Sequence, residues 1–184
     1  MEEHQVVPDV LDVIPPNVIE ITYPGGQTVS MGNELEPKHV KDIPDLRWTT
    51  EEGVLYTLIM TDPDAPVRNN PYNPKHGEAN HWLVVNIPGL DIQSGQTLND
   101  YVGAGPPPGC GLHRYIFTIY KQSGVLNISP LPGRRGFKTR DFARKHGLGE
   151  PIAGNFFQAQ FDRYVPLMYV QIIGTRIRNM CSIM

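Results

Sequence analysis

Three apolar runs between Tyr56 and Tyr120 each carry a titratable side chain at one end. The first reads Tyr56-Thr57-Leu58-Ile59-Met60-Thr61-Asp62 and gives way to Pro63-Asp64-Ala65-Pro66. The second is His81-Trp82-Leu83-Val84-Val85-Asn86-Ile87. The third, His113-Arg114-Tyr115-Ile116-Phe117-Thr118-Ile119-Tyr120, follows a Gly- and Pro-rich segment from Gly103 to Gly111. Runs of this length, rich in β-branched and aromatic residues and bounded by Pro and Gly, read as strands. On the strand period of two, Asp62 shares a face with Tyr56, Leu58 and Met60. His81 falls with Leu83, Val85 and Ile87, and His113 with Tyr115, Phe117 and Ile119. Ionisable groups at the rim of a core are costly unless something satisfies them. One shared pocket would satisfy all three. It carries a condition on topology: a simple meander puts His81 and His113 at opposite ends. The long connection over residues 88–112 allows a Greek-key crossover that returns them to the same end.

The remaining segments suit a mostly β chain. Pro makes up 18 of 184 residues, roughly double the usual ~5%, which disfavours an all-helical fold. Val18 to Tyr23 alternates as a strand, Pro24-Gly25-Gly26 turns it, and Gln27-Thr28-Val29 pairs back. Leu46 to Thr49, Val125 to Ile128 and Ala153 to Phe161 read as further strands, and residues 1–17 as an extended lead-in. Thr139 to His146 reads as a short helix with Thr139 as N-cap, Asp141 in its first turn, and Lys145 and His146 in its last. Val165 to Arg178 reads as a second helix, with Pro166 in its first turn. The expectation is one domain over residues 1–184, an antiparallel β-sandwich with Greek-key connections and two short peripheral helices.

Charge and composition narrow the function. A net charge of −3 gives no nucleic-acid footprint, and no apolar run reaches the about 18 residues of a membrane span. Met1-Glu2-Glu3-His4-Gln5 has no signal-peptide pattern. Cys110 and Cys181 therefore read as reduced thiols, and the expected location is cytoplasmic. Two His, the Tyr115 hydroxyl and the amides of Gly103 and Gly105 suit a phosphate or carboxylate. Asp62 would offset the histidine charge or hold a cationic group on the same ligand, so a zwitterionic head group fits. Two enzyme readings compete. Asp62, His81 and His113 have the ligand types of a two-His, one-carboxylate metal site, although the Tyr and glycines favour an anion and no metal or cofactor is expected. Cys110 between two glycines has the position of a nucleophile, although a small residue in a tight loop explains it. A third reading is a protein-interaction module presenting Arg134, Arg135, Lys138 and Arg140; such a run is more often a solvated face.

The motifs Thr61-Asp62-Pro63-Asp64-Ala65-Pro66, His81-Trp82-Leu83-Val84-Val85-Asn86-Ile87 and Gly103 to Tyr115 together resemble the phosphatidylethanolamine-binding protein family, which includes the Raf kinase inhibitor protein. The resemblance extends to Val7-Pro8-Asp9-Val10, Ala153 to Phe157 and Asp162-Arg163-Tyr164-Val165-Pro166. It implies a β-sandwich with a small anion pocket at one end, lined by Asp62, His81, Gly103, Gly105, Pro107, His113 and Tyr115. Tyr169, with Met168, would close it. It also implies binding of phosphorylated head groups without catalysis, and partners such as kinases and, in some cases, proteases. Where family members commonly have an aromatic residue followed by Glu-Trp-His-His, this chain has His76-Gly77-Glu78-Ala79-Asn80-His81. The loop after Arg68 is also a few residues longer, through Asn69-Asn70-Pro71-Tyr72-Asn73, and the expectation is a wider, more polar pocket mouth. Separately, Cys181-Ser182-Ile183-Met184 fits a farnesylation box at Cys181. With only Arg176 and Arg178 as a second signal, it predicts weak membrane association.

Overall fold

A computed structural model describes residues 1–68, 78–167, 169 and 170. In chain order it contains a helical turn α1 (Val6–Asp9) and strands β1 (Asn17–Val18), β2 (Glu20–Thr22), β3 (Asp45–Arg47) and β4 (Leu55–Asp62). β5 (Ala79–Pro88), β6 (Gln96–Asn99), β7 (His113–Gln122), helix α2 (Thr139–Lys145) and β8 (Ala153–Ala159) complete it. Six strands form one sheet in the order β1-β8-β7-β4-β5-β6, and β2 and β3 form a separate antiparallel ribbon. Every pair in the large sheet is antiparallel except β1 with β8.

The large sheet is covered on both faces. One face packs Tyr56, Leu58, Met60, Phe117 and Phe157 against Ile21 and Leu46 of the ribbon. The other packs Ile59, Leu83, Val85 and Tyr120 against Phe142 and Ala143 of α2. Ile116 and Phe156 on that sheet meet Val6, Val10 and Leu11 from the N-terminal segment. Double coverage explains why β4 beyond Leu55 and the whole of β8 are buried instead of alternating. Each such large apolar side chain contributes about 1.5–3 kcal/mol of burial free energy. Among the described residues no helix is long and apolar enough to cross a membrane.

The mostly β architecture agrees with the sequence reading, and the second layer is a two-stranded ribbon instead of a full sheet. The hairpin at Pro24-Gly25-Gly26 forms, with Tyr23 N–H on the Gln27 carbonyl at 2.8 Å. Three local expectations are corrected. The lead-in is not wholly extended, because α1 forms within it. Residues 125–128 make no strand, because side chains take their backbone groups: Leu126 N–H donates to Asn86 Oδ1 at 2.8 Å, and Gln96 Nε2 to the Ile128 carbonyl at 2.8 Å. Lys138, not Thr139, stands at the N-cap of α2 and makes no side-chain cap. Thr139 begins the helix, and both its N–H (3.0 Å) and its hydroxyl are accepted by Glu78 Oε2. Residues 165–167, 169 and 170 are helical; the rest of the second expected helix lies outside the described residues.

Candidate functional site

β5 and β7 both run antiparallel to β4 between them, so they run parallel to each other. His81 and His113, near the starts of those strands, therefore lie at the end of the sheet where β4 finishes at Asp62. The His113 Nδ1–H donates to Asp62 Oδ2 at 2.9 Å, and both side chains are buried. Asp62 Oδ1 accepts the Asp64 N–H at 2.8 Å, which turns the chain and fixes the carboxylate. The His81 ring stands edge-on to Tyr115, with centroids 5.1 Å apart at 89°. Tyr115 in turn stacks on Phe157 at 5.0 Å. The imidazoles that the sequence separates are thus close to one carboxylate and one phenol.

His81 reaches this cluster by a route that strict alternation misses. Asn80 pairs with Thr61 and Trp82 pairs with Met60, which leaves His81 as an extra residue in β5. Alternation assigns His81 to the face of Leu83 and Val85, which is the face that α2 covers. The bulge re-aims it to the ribbon side, where Tyr115 lies. His81 Nδ1 then meets the Val102 carbonyl at 2.8 Å, which fixes the ring. Asp62 and His113 needed no such device: Tyr115, Phe117 and Ile119 share the ribbon-side core with Met60 as alternation requires.

The electrostatics are those of a partly dehydrated cluster. Burial pushes the His81 pKa below its ordinary value, against the opposing pull of Asp62 and of the Val102 and Gly103 backbone. Burial, with the nearby Asp62 charge, holds the Tyr115 phenol well above its ordinary value, so it stays a neutral hydroxyl. His113 Nε2 is buried and has no hydrogen-bond partner among the described residues. An unpaired polar atom in such a place costs about 1–3 kcal/mol and is the feature here that structural packing leaves unexplained.

The remaining expected residues divide. The Gly105 N–H donates to the Tyr115 hydroxyl at 3.3 Å and its carbonyl accepts the Tyr169 hydroxyl at 2.7 Å, so Tyr169 does reach this end of the sheet. Gly103 is buried, but its reason for being glycine is packing: a Cβ there would meet the Val40 carbonyl oxygen at 2.6 Å and Lys41 Cα at 2.9 Å. Pro107 is half-buried in the same loop, where its carbonyl accepts the Cys110 N–H at 3.3 Å. Ala79 is paired directly with Asp62, which puts a methyl group beside the cluster. Tyr72, His76, Met168 and Cys181 lie outside the described residues. Among the described residues no three His, Cys, Asp or Glu side chains converge as a metal site. The oxygens of Asp62 are already engaged by His113 and Asp64.

Two features escaped the sequence reading. Asp64 is a structural acid: its carboxylate accepts the Arg114 N–H (2.8 Å), Nε (2.9 Å) and Nη2 (2.7 Å). The same guanidinium reaches Asp9 at 2.9 Å and the His4 carbonyl at 2.7 Å. Arg134 is a neighbour of His81, with Nη1 donating to the carbonyls of Asn80 and His81 at 3.3 Å each. The only signal for it in the sequence is the Arg134-Arg135 pair, which residue type alone assigns to a solvated face. Two open clefts of about 430 and 420 Å3 flank Arg140 and α2, away from the cluster. The second is lined largely by ions that already have partners, such as Asp64, Arg114 and Arg140. Arg140 lines both clefts, and its buried Nε faces Asp12 Oδ1 at 3.0 Å, so it is ion-paired where His113 Nε2 is not.

A doubly covered β-sheet with an Asp, two His and a Tyr gathered at one end defines a class of β-rich proteins with a small polar site at the sheet's edge. The chain belongs to the phosphatidylethanolamine-binding protein family, whose profile matches residues 25–157. It is 36% identical over 181 residues to a Drosophila melanogaster protein provisionally named odorant-binding protein A5, covering 95% of this chain and 85% of that one. Among solved structures, CG7054, determined in solution, is 48% identical with a TM-score of 0.71, over 89% of this chain and 95% of that one. A carboxypeptidase Y inhibitor, crystallised with its cognate proteinase, is 25% identical with a TM-score of 0.76, over 88% of this chain and 93% of that one.

Proposed function

We propose that this chain is a non-enzymatic, cytoplasmic binding protein, acting as one domain over residues 1–184. It holds a phosphorylated or otherwise anionic small group, of the phosphatidylethanolamine head-group type, at Asp62, His81, His113 and Tyr115. The observation that carries the reading is the buried Nε2 of His113, which has no partner among the described residues. With Nδ1 engaged by Asp62, protonation of Nε2 on arrival of an anion turns it into a charge-assisted donor. His81 and the Tyr115 hydroxyl supply further polar contacts within the same cluster, and the negative charge of Asp62, although its oxygens are hydrogen-bonded, favours an ammonium on the same ligand.

A second reading, a module that inhibits a kinase or protease without a small ligand, is favoured by the likeness to the carboxypeptidase Y inhibitor. The two readings separate in one measurement. Phosphoethanolamine, phosphate and acetate are titrated against the isotope-labelled chain, and the imidazole signals of His81 and His113 are followed. Saturable shifts in both rings that vanish in His113→Ala support the small-ligand site. Rings that stay unmoved at every concentration leave only the protein-interaction reading.

A further inference from the structure

His81 is the extra residue of β5, and a bulge that disrupts the ladder needs groups to hold it. Several come from the loop between β7 and α2. Its Leu131 and Phe137 side chains pack into the core on the α2 side, and Phe137 meets Phe142 with ring centroids 5.5 Å apart. Phe137 also exchanges both backbone hydrogen bonds with Glu78, at 2.8 and 3.0 Å. Between these two anchors the Arg134 carbonyl accepts the Asn80 N–H at 2.8 Å. The half-buried Arg134 side chain turns back on the same strand, and its Nη1 donates to the carbonyls of Asn80 and His81 at 3.3 Å each. One guanidinium nitrogen thus spans the two peptide groups that flank the His81 Cα.

A one-residue slip that relieves the bulge carries His81 to the face of Leu83 and Val85, where α2 packs. The direction of the ring therefore depends on what keeps its two peptide groups in place. Asn80 contributes from the sheet side: its Nδ2 donates to the Met60 and Trp82 carbonyls at 3.4 and 3.3 Å, and its Oδ1 accepts Asn99 Nδ2 at 2.8 Å. Val102 contributes from another loop, with its N–H on the His81 carbonyl at 2.9 Å and its own carbonyl 2.8 Å from His81 Nδ1. Arg134 joins the two peptide groups to each other, through a charged donor, and hydrogen bonds from ionised donors are the stronger kind. We propose that Arg134 is a positioning residue, which holds the β5 bulge in the register that turns the His81 ring toward Tyr115. This hold on the ring needs no ligand, whereas its effect on binding rests on the anion-binding reading.

The test compares the full-length wild type, Arg134→Lys and Arg134→Ala by NMR, first without ligand. The readout is the nuclear Overhauser contact between the His81 and Tyr115 rings, whose centroids lie 5.1 Å apart. Signals across the β4–β7 pair Thr61 and Ile116 report the sheet itself. Arg134→Ala is expected to lose most of the ring contact while the sheet signals stay. Arg134→Lys is expected to keep it, because one nitrogen serves both carbonyls. A ring contact unchanged in Arg134→Ala overturns the assignment, and so does a lysine variant no better than alanine. Should Arg134→Ala lose the sheet signals too, the milder Arg134→Gln is read in its place; a sheet lost in both makes Arg134 a general support and overturns the positioning role. Titration with inorganic phosphate follows. Arg134→Ala is expected to weaken it about tenfold, the worth of one hydrogen bond from a misplaced ring. A lost ring contact with undiminished phosphate affinity overturns the part of Arg134 in binding. If the wild type binds no phosphate, the anion-binding reading falls, and the hold of Arg134 on His81 still stands or falls by the ring contact.

Discussion

At the scale of single residues, the site depends on one hydrogen bond and one dehydrated ring. His113 and Asp62 are each other's buried partners at 2.9 Å. Replacing His113 by Ala leaves that carboxylate short of a donor, and the unfolding free energy measured in urea is expected to fall by about 1–3 kcal/mol. His81 behaves differently, because burial lowers its pKa from the ordinary 6.5. The unfolded chain binds that proton more readily than the folded one. The stabilising contribution is thus present above pH 6.5 and is lost as pH falls through the depressed folded value. An NMR titration is expected to place the His81 midpoint below 6.5 in the free protein, and His81→Asn to flatten the acid side of the stability curve. A bound anion favours the charged ring, so affinity for sulfate, whose own charge is constant there, is expected to rise as pH drops from 8 to about 6. A pH-independent sulfate affinity would argue against imidazole contacts.

Elements carry the next level of control. Glu78, just before β5, accepts hydrogen bonds from the Thr61 hydroxyl at 3.0 Å and from the first turn of α2. It therefore joins β4, β5 and α2 at the edge of the site. Burial raises its pKa above the ordinary 4.5, although its Thr donors and Arg140 pull the other way. That contribution to stability is fully present below pH 4.5 and is lost as pH rises through the raised folded value. Glu78→Gln is expected to flatten this decline in urea midpoints. Glu78→Ala is expected to cost about 2–3 kcal/mol, because buried donors lose their acceptor. In β5, Ala79 lies opposite Asp62. Ala79→Trp is expected to narrow the mouth and to tighten phosphoethanolamine by added apolar contact; tighter binding by the wild type would refute the wide-mouth reading.

Sequence legibility also differs by element. Asp62 and His113 could be placed because β4 and β7 keep the period of two up to their ends. His81 arrived in the right place for a reason alternation cannot supply, since one extra residue shifts the period of β5. β6 went unread because Gln96–Asn99 is short and polar, as an edge strand often is. Residues 125–128 look like a strand because Leu126 and Ile128 pack on the core, while side chains of Asn86 and Gln96 take the backbone groups.

On the scale of the whole molecule, Arg114 ties the chain together. Within one buried guanidinium it joins β7, the Asp64 turn and the N-terminal segment through Asp9 and the His4 carbonyl. Arg114→Ala is expected to cost about 3–5 kcal/mol, since it strands the buried Asp64 charge. Hydrogen exchange is expected to quicken in α1, which packs through Val6 on Ile116 and Phe156. The general architecture followed from apolar runs and turn residues, whereas this network did not. Nothing in the local sequence links His4, Asp9, Asp64 and Arg114. The strand order has its own consequence. β4 contributes Asp62, and its two flanking strands each bring one imidazole from distant parts of the chain. A nascent polypeptide emerging residue by residue therefore has no receptor until β7 docks beside β4. On the proposed binding reading, an added ligand would act as a timer of maturation, ignoring half-built chains and protecting those whose sheet has closed.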